Sequence, residues 1–403
     1  MNKIFKNTLS LSSASALTTI LNIVCMPIII RQVGVDSYGV YIYAFIQSQL
    51  LLTIVNYSFD IYLVNKCANM EQEEINKYVL LVYISRFSIF IVFSTIMYVG
   101  LVYFGSLDKI FLLVIIISIL PMCFNLTWYY QLKERMEIIA IANLVGKSVF
   151  LIFILFPFSS ILYLAYALLV SNIIVVIVYN INYKWSFDGI YHVKIIDLNK
   201  LVINAFPIFT YQFLTGLIPV VVSSFIFNIS GGGGVVYLDI FNKITSVINL
   251  IYSAFIQSIY PYITKIKSKY AFYILVKRTL LLIFIPQVSF LLIVVMLNIK
   301  LDTIFNYILK ADLKSIYVII IYSLFYSLFI SFNSFLSRVL IFFDCVKIIT
   351  ISTIVALIVI SVFSYYVFIT NGVDIFIGLI LGQIIMSIIM ICTIYLNMEK
   401  KFG

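Results

Sequence analysis

Histidine occurs once in this 403-residue chain, at His192, and charged side chains make up only 10 % of it. One histidine leaves a His/Asp hydrolase or a Cys/His catalyst with almost nothing to work with. The five cysteines (Cys25, Cys67, Cys123, Cys345 and Cys392) are an odd number, and none forms a C-x-x-C pair or neighbours a histidine cluster, which argues against a metal centre. No G-x-x-x-x-G-K-[ST], G-x-S-x-G or H-E-x-x-H pattern occurs, so an internal ATPase, an esterase elbow and a zincin helix are excluded. The glycine run Gly231 to Gly234 has no adjacent lysine or strand, and reads as a flexible external turn and not a phosphate loop.

The low charge also excludes a soluble domain, which carries about 25 % charged residues to wet its surface. What fills the chain is apolar: 64 % hydrophobic residues, 17 % aromatic, a mean hydropathy of +1.15. Apolar runs bounded by charge or Gly/Pro predict twelve membrane spans, at about 9–30, 41–64, 79–102, 110–130, 138–157, 161–181, 201–228, 235–263, 278–298, 316–337, 347–369 and 375–397. The first continues to Ile30, too far for the apolar core of a signal peptide, and reads as a retained span.

The net charge of +10 is a topology signal in such a chain. Between these spans, 18 Lys and Arg fall on the loops of one side and 5 on the other, with Arg86, Lys147 and Lys243 inside spans. Both termini are therefore expected in the cytoplasm, and no nucleic acid is expected as a partner. The longest polar stretch, 182–200, splits the chain into an N-terminal lobe (1–181), a cytoplasmic inter-lobe loop and a C-terminal lobe (201–403), six spans each. An even number of spans per half predicts a parallel repeat. Weak self-similarity agrees: Pro27 against Pro219 and Tyr41 against Tyr237 give offsets of 192 and 196.

Ionised side chains inside spans cost on the order of 3 kcal/mol or more and mark functional interiors. Lys147 and Lys243 lie some 12–14 Å deep at about 1.5 Å per residue, near the midplane. Asp239 precedes Lys243 by four residues, so the two share a helix face, either as an internal ion pair or as part of a binding cavity. Asp60 and Arg86 are shallower and read either as an interfacial pair or as groups facing a ligand. Amides such as Asn125, Asn143, Gln212, Asn249, Asn333 and Gln383 add to the polarity of the spans and fit a hydrophilic central cavity. Pro27, Pro121, Pro207, Pro219, Pro261 and Pro286 fall within spans or at their ends, where proline kinks helices.

The first external loop reads Arg31-Gln-Val-Gly34-Val-Asp-Ser-Tyr38-Gly39-Val-Tyr41, an R-x-x-G-x-x-x-[YF]-G-x-Y pattern. Span eight reads Tyr237-Leu-Asp239-Ile-Phe-Asn-Lys243 and ends at Pro261. Both resemble the polysaccharide (O-antigen, Wzx-type) flippases of the multidrug/oligosaccharidyl-lipid/polysaccharide (MOP) exporter superfamily. The resemblance implies an all-α polytopic protein of two six-helix lobes in a MATE-like V around a hydrophilic cavity, in the bacterial inner membrane. It implies that an undecaprenyl-pyrophosphate-linked oligosaccharide, an O-antigen or capsule repeat, is flipped from the inner to the outer leaflet by alternating access. No cofactor is implied; a proton or ion gradient is the candidate drive. Membrane lipids and a polymerase or chain-length regulator of the same pathway are the implied partners.

On this resemblance Lys147 and Lys243 are candidate pyrophosphate ligands, Arg86 a receiver of the head group, and Arg31 a residue of the outer mouth or of its turn. Asp239 and Asp60 are candidate coupling or ion-pairing groups. In this family cavity cations are often arginine, whereas the midplane bases here are lysines. The alternatives are a cation-coupled drug exporter and a flippase for another lipid-linked intermediate such as lipid II. A drug exporter calls for cavity carboxylates, yet the spans hold two acids against three bases.

Overall fold

The computed structural model describes residues 2–68, 70–104, 107–183, 195–263, 268–296, 307, 316–343, 345–370 and 375–402. His192, Lys184, Lys194, Lys265, Lys267, Lys300, Lys310 and Lys314 lie outside the described residues, as does nearly all of the loop 297–315. The described residues are helical apart from short turns. In chain order the helices are α1 (Asn2–Val33), α2 (Val35–Asn56), α3 (Phe59–Lys66), α4 (Gln72–Phe104), α5 (Lys109–Ile117), a 3₁₀ turn (Leu120–Phe124), α6 (Thr127–Leu132), α7 (Met136–Leu155) and α8 (Ile161–Ile181). There follow α9 (Ile195–Ile263), α10 (Lys269–Met296), α11 (Ile316–Phe342), α12 (Val346–Thr370) and α13 (Ile375–Phe402).

Eleven stretches among the described residues are long and apolar enough to cross a membrane. The twelve expected spans and these eleven are reconciled in α9. Its apolar part, Asp197–Leu250, holds 54 residues, about 81 Å of helix at about 1.5 Å per residue, where one crossing needs about 30 Å. The backbone leaves helical geometry at Gly231 alone, with φ 63° and ψ −156°. A Cβ on Gly234 would come within 2.9 Å of Ile226 Cγ2, eight residues back. In a straight helix residues eight apart are separated by about 12 Å, so the chain folds back sharply at this point. The expected four-glycine external turn is thus one left-handed glycine, with Gly232 to Gly234 already helical.

The same device joins α1 to α2. Gly34, at φ 83°, is the single residue between them, 197 positions before Gly231. Glycine adopts positive φ with little cost, so each of these two reversals is made through one residue. The offset of 197 is close to the 196 of the tyrosine pair and five longer than the 192 of the proline pair.

Two spans expected to be continuous are broken. Span two stops at Asn56 and restarts at Phe59, because Tyr57 (φ 47°) and Ser58 (φ 56°) are both left-handed. Span four passes from α5 into the 3₁₀ turn that contains Pro121, then into α6, with Asn125 extended between them. Pro27 and Pro286, by contrast, sit inside α1 and α10 without ending them. The stretch 182–200 is shorter as a connection than expected, since α9 begins at Ile195.

The chain forms two compact units, Met1–Val220 and Val221–Gly403. In the first, α7 packs on α1 and α8, α8 on α5 and the 3₁₀ turn, and α4 on α2 and the same turn. Gly146 lets α7 approach α8 closely: a Cβ there would run into Val175 Cγ2, and Ser171 Oγ donates to the Gly146 carbonyl at 2.8 Å. Close backbone approach through small residues is a usual way for helices to associate in lipid. In the second unit α13 packs on α11 and α12, with Gly378 against Phe363 and Gly382 against Ile360.

Candidate functional site

The two broken spans meet an ionised side chain that ends wholly shielded. Arg86, on α4, is 0 % exposed. Its Nη2 lies 2.9 Å from Asp60 Oδ1, and its Nη1 donates to the Asn125 carbonyl at 2.7 Å. Asp60 is in the first turn of α3, just past the break in span two, and Asn125 is the extended residue in the break of span four. One guanidinium therefore ties three spans together at both irregular points. Its Nε is buried and has no partner among the described residues, so the guanidinium engages the carboxylate through one nitrogen of a two-nitrogen edge.

Behind this contact Asn125 Oδ1 accepts from the Thr127 amide (2.7 Å) and hydroxyl, which starts α6. Tyr130 donates its hydroxyl to the Tyr179 carbonyl at 2.6 Å, joining α6 to α8. Burying polar groups in a span is costly unless each finds a partner, and here the network supplies most of them.

Lys147 lies on α7, half-buried, with Nζ 6.0 Å from the centroid of the Phe150 ring. Helical rotation places it. Taking Ile141 as zero and about 100° per residue, the exposed apolar residues Ile141, Val145 and Ile152 lie within roughly 40° of one another. Asn143 and Lys147 fall at roughly 200° and 240°, on the opposite side, between the buried Ala140 and Phe150. Asn143 is nonetheless exposed. The packed side of α7 therefore has a polar opening at Asn143 and Lys147, distinct from its outward apolar stripe.

In the second unit Lys243 is ion-paired with Asp239 on the same helix, with side chains 17 % and 13 % exposed. Phe241, between them in sequence, is fully buried against Tyr326 of α11 and Phe376 of α13. At about 100° per residue Asp239 and Lys243 point roughly 160–200° away from Phe241, and so away from α11 and α13. The exposed Ser246 and Val247 flank the same side of the helix. Deeper in this unit Asn333 donates to the carbonyl of Gln383 and to its Oε1, and Ser387 donates to Asn333 Oδ1, a closed amide network between α11 and α13.

Arg31 is exposed in the last turn of α1. The neighbouring Gln32, absent from the sequence-based candidates, fixes this end: its Nε2 donates to the Ile154 carbonyl at 2.8 Å, and its Oε1 accepts from the Phe158 amide at 2.9 Å. Tyr38 and Tyr41 of the loop pattern are buried side by side. A second missed feature closes α3: Lys66 Nζ lies 4.8 Å from the Tyr78 centroid and 5.4 Å from that of Tyr62. Burial pulls its ammonium down, but bonds to the Tyr78 and Tyr62 hydroxyls outweigh this and leave it above its ordinary value. The next residue, Cys67, is pushed up to about 11 by burial, against the opposing charge of Lys66.

A family model described as polysaccharide biosynthesis protein matches residues 4–267. No curated protein matches the sequence. Among solved structures, an outward-facing multidrug resistance MATE family transporter of the MOP superfamily is similar at TM-score 0.69 and 12 % identity, over 99 % of this chain and 96 % of that one. An inward-facing form of such a transporter gives 0.69 and 13 %, over 98 % and 100 %. The lipid II flippase MurJ, in an inward closed conformation, gives 0.68 and 15 %, over 97 % and 89 %. At these identities the likeness is one of fold.

Proposed function

We propose, since the chain belongs to the polysaccharide biosynthesis protein family and is a multi-pass membrane protein of the MOP fold, that it flips an undecaprenyl-pyrophosphate-linked oligosaccharide from the inner to the outer leaflet of the bacterial inner membrane. The observation that carries this reading is the polar opening of α7, which sets Asn143 and Lys147 near the middle of a span, away from its outward stripe. A diphosphate entering an apolar layer requires a cation that meets it there, where low dielectric strengthens a charge-assisted bond. The span interior has three bases and two acids, a balance suited to an anionic cargo.

In this reading Lys147 receives the diphosphate and Lys243 takes part from the open side of its helix, held in place by Asp239. Arg86, wholly buried between Asp60 and Asn125, holds the N-terminal lobe together instead of meeting the head group. Arg31 belongs to the turn at the outer mouth. The 18 to 5 division of loop bases supports cytoplasmic termini.

The test is reconstitution. Proteoliposomes loaded with undecaprenyl-pyrophosphate-linked oligosaccharide are assayed for the protein-dependent exposure of glycan to an externally added glycosidase, with undecaprenyl-pyrophosphate-linked muropeptide and a cationic dye as competing cargos. Exposure of the oligosaccharide alone supports the proposal. Movement of the dye alone replaces it with drug export, and movement of the muropeptide alone with a lipid II function.

A further inference from the structure

We propose that the contact between span two and α9, Ser58 Oγ on Gln212 Oε1 together with the Tyr57–Phe209 stack, is a latch that opens in each transport cycle and lets span two straighten, turning Asp60 off Arg86. This rests on the transport reading above.

Besides Tyr57 and Ser58, the one further non-glycine left-handed position among the described residues, Glu134, lies in the turn between α6 and α7, outside a span; the reversals at Gly34 and Gly231 use glycine, and span four breaks at Pro121. Glycine and proline favour a permanent break. In span two the left-handed positions are Tyr57 and Ser58, which prefer right-handed geometry and are strained where they stand. The strain has visible consequences. The Thr53 carbonyl accepts from the Tyr57 amide and the Ser58 carbonyl from those of Ile61 and Tyr62, but among the described residues no turn bond closes on the carbonyls of Ile54, Val55 and Asn56. Asn56 Oδ1 is buried without a partner among the described residues. A continuous helix gives those three carbonyls the amides of Ser58, Phe59 and Asp60.

What holds the strained form is one face of α9. Ser58, 1 % exposed, donates to Gln212 Oε1 at 2.6 Å, and the Tyr57 ring stacks on Phe209 with centroids 4.2 Å apart and planes at 11°. One turn further, a Cβ on Gly216 would be in ordinary van der Waals contact with Leu50 and Thr53, so the same face also touches α2. Phe209, Gln212 and Gly216 are at helical spacing, and a tilt of this helix releases all three together. Asp60 is two residues beyond Ser58. Any return of Tyr57 and Ser58 to helical dihedrals rotates α3 and moves the carboxylate from its 2.9 Å contact with Arg86. Ser58 and Gln212 are thus positioning residues, acting on the ion pair through the backbone.

Two measurements test this. A Ser58→Cys/Gln212→Cys protein, with Cys345→Ser and Cys392→Ser removing the two cysteines that are not buried, is cross-linked with a short bis-methanethiosulfonate that spans the gap left by the shorter side chain and is cleaved by reduction, and is reconstituted with undecaprenyl-pyrophosphate-linked disaccharide. Flipping is expected to fall at least tenfold on cross-linking and to return on reduction; flipping at the reduced rate while cross-linked, or no cross-link in the resting protein, overturns the latch. Hydrogen–deuterium exchange over residues 57–62 in Gln212→Leu needs no cargo, and so separates failure of the latch from failure of the transport reading. Slower exchange than in the unsubstituted chain is expected, because the amides of Ser58 to Asp60 gain helical partners; unchanged or faster exchange contradicts the proposal.

Discussion

Arg86 and Asp60 lie 26 residues apart and meet at 2.9 Å, with the guanidinium wholly shielded and the carboxylate side chain 28 % exposed. The exposure difference makes the two partners unequal. Removing the carboxylate strands a buried cation, which is the costly half of such a pair at about 3–5 kcal/mol. Asp60→Ala is therefore expected to lower the melting temperature of the detergent-solubilised protein strongly. Asp60→Asn, which keeps an acceptor oxygen, should lose less. Arg86→Lys should not restore the parent value, because an ammonium lacks the planar fork that reaches both Asp60 and Asn125. Equal melting temperatures for Asp60→Ala and the parent contradict the assignment.

Lys147→Ala should reduce surface polysaccharide roughly 10- to 100-fold, the worth of a charge-assisted bond of about 1.5–3 kcal/mol, with the protein still in the membrane. Lys147→Arg should retain most of the display, since it keeps the charge at the same depth. Lys243→Ala is expected to fall in the same range and Asp239→Ala to be milder. Quantitative immunoblotting of glycan against membrane protein level reads all four.

Packing makes a prediction free of any cargo. A Cβ at Gly146 would run into Val175 Cγ2, so Gly146→Ala should destabilise the protein by about 1–3 kcal/mol through overpacking. Val175 is β-branched and yields little. The double variant Gly146→Ala/Val175→Ala should recover most of the loss in a thermal unfolding assay. A double variant as unstable as Gly146→Ala alone places the strain elsewhere.

The Cys67 thiol, pushed up to about 11 by burial, stays protonated across the neutral range. Alkylation requires the thiolate. N-ethylmaleimide at pH 7.5 should leave Cys67 unmodified by mass spectrometry in the folded protein and modify it once the protein is unfolded in denaturant. Rapid modification of Cys67 in the folded protein at that pH contradicts the burial of this corner.

Much of the architecture was legible in the residues, because a span is a property of about 20 consecutive side chains and needs no tertiary information. The Asp239–Lys243 pair was legible for a similar reason, being local at four-residue spacing. The break at Tyr57 and Ser58 was not, since neither residue is a helix breaker, and the partners that meet it, Phe209 and Gln212, lie some 150 residues later. The pairing of Arg86 was open in sequence for the same reason. Polarity marked both residues as functional or paired, but the shielding that makes Arg86 a clamp depends on Asn125 arriving from a broken span. Gln32 was missed because a lone glutamine near a helix end carries no pattern; its two partners lie more than 120 positions away.

The central claim, that an anionic lipid-linked glycan crosses beside Lys147, is tested most directly by the rate of oligosaccharide exposure in proteoliposomes carrying the parent chain, Lys147→Ala or Lys147→Arg at matched protein density. Fast exposure for the parent and for Lys147→Arg, with Lys147→Ala roughly tenfold or more slower, is the expected result. Equal rates for the parent and Lys147→Ala, or no exposure above protein-free vesicles for the parent, would contradict it.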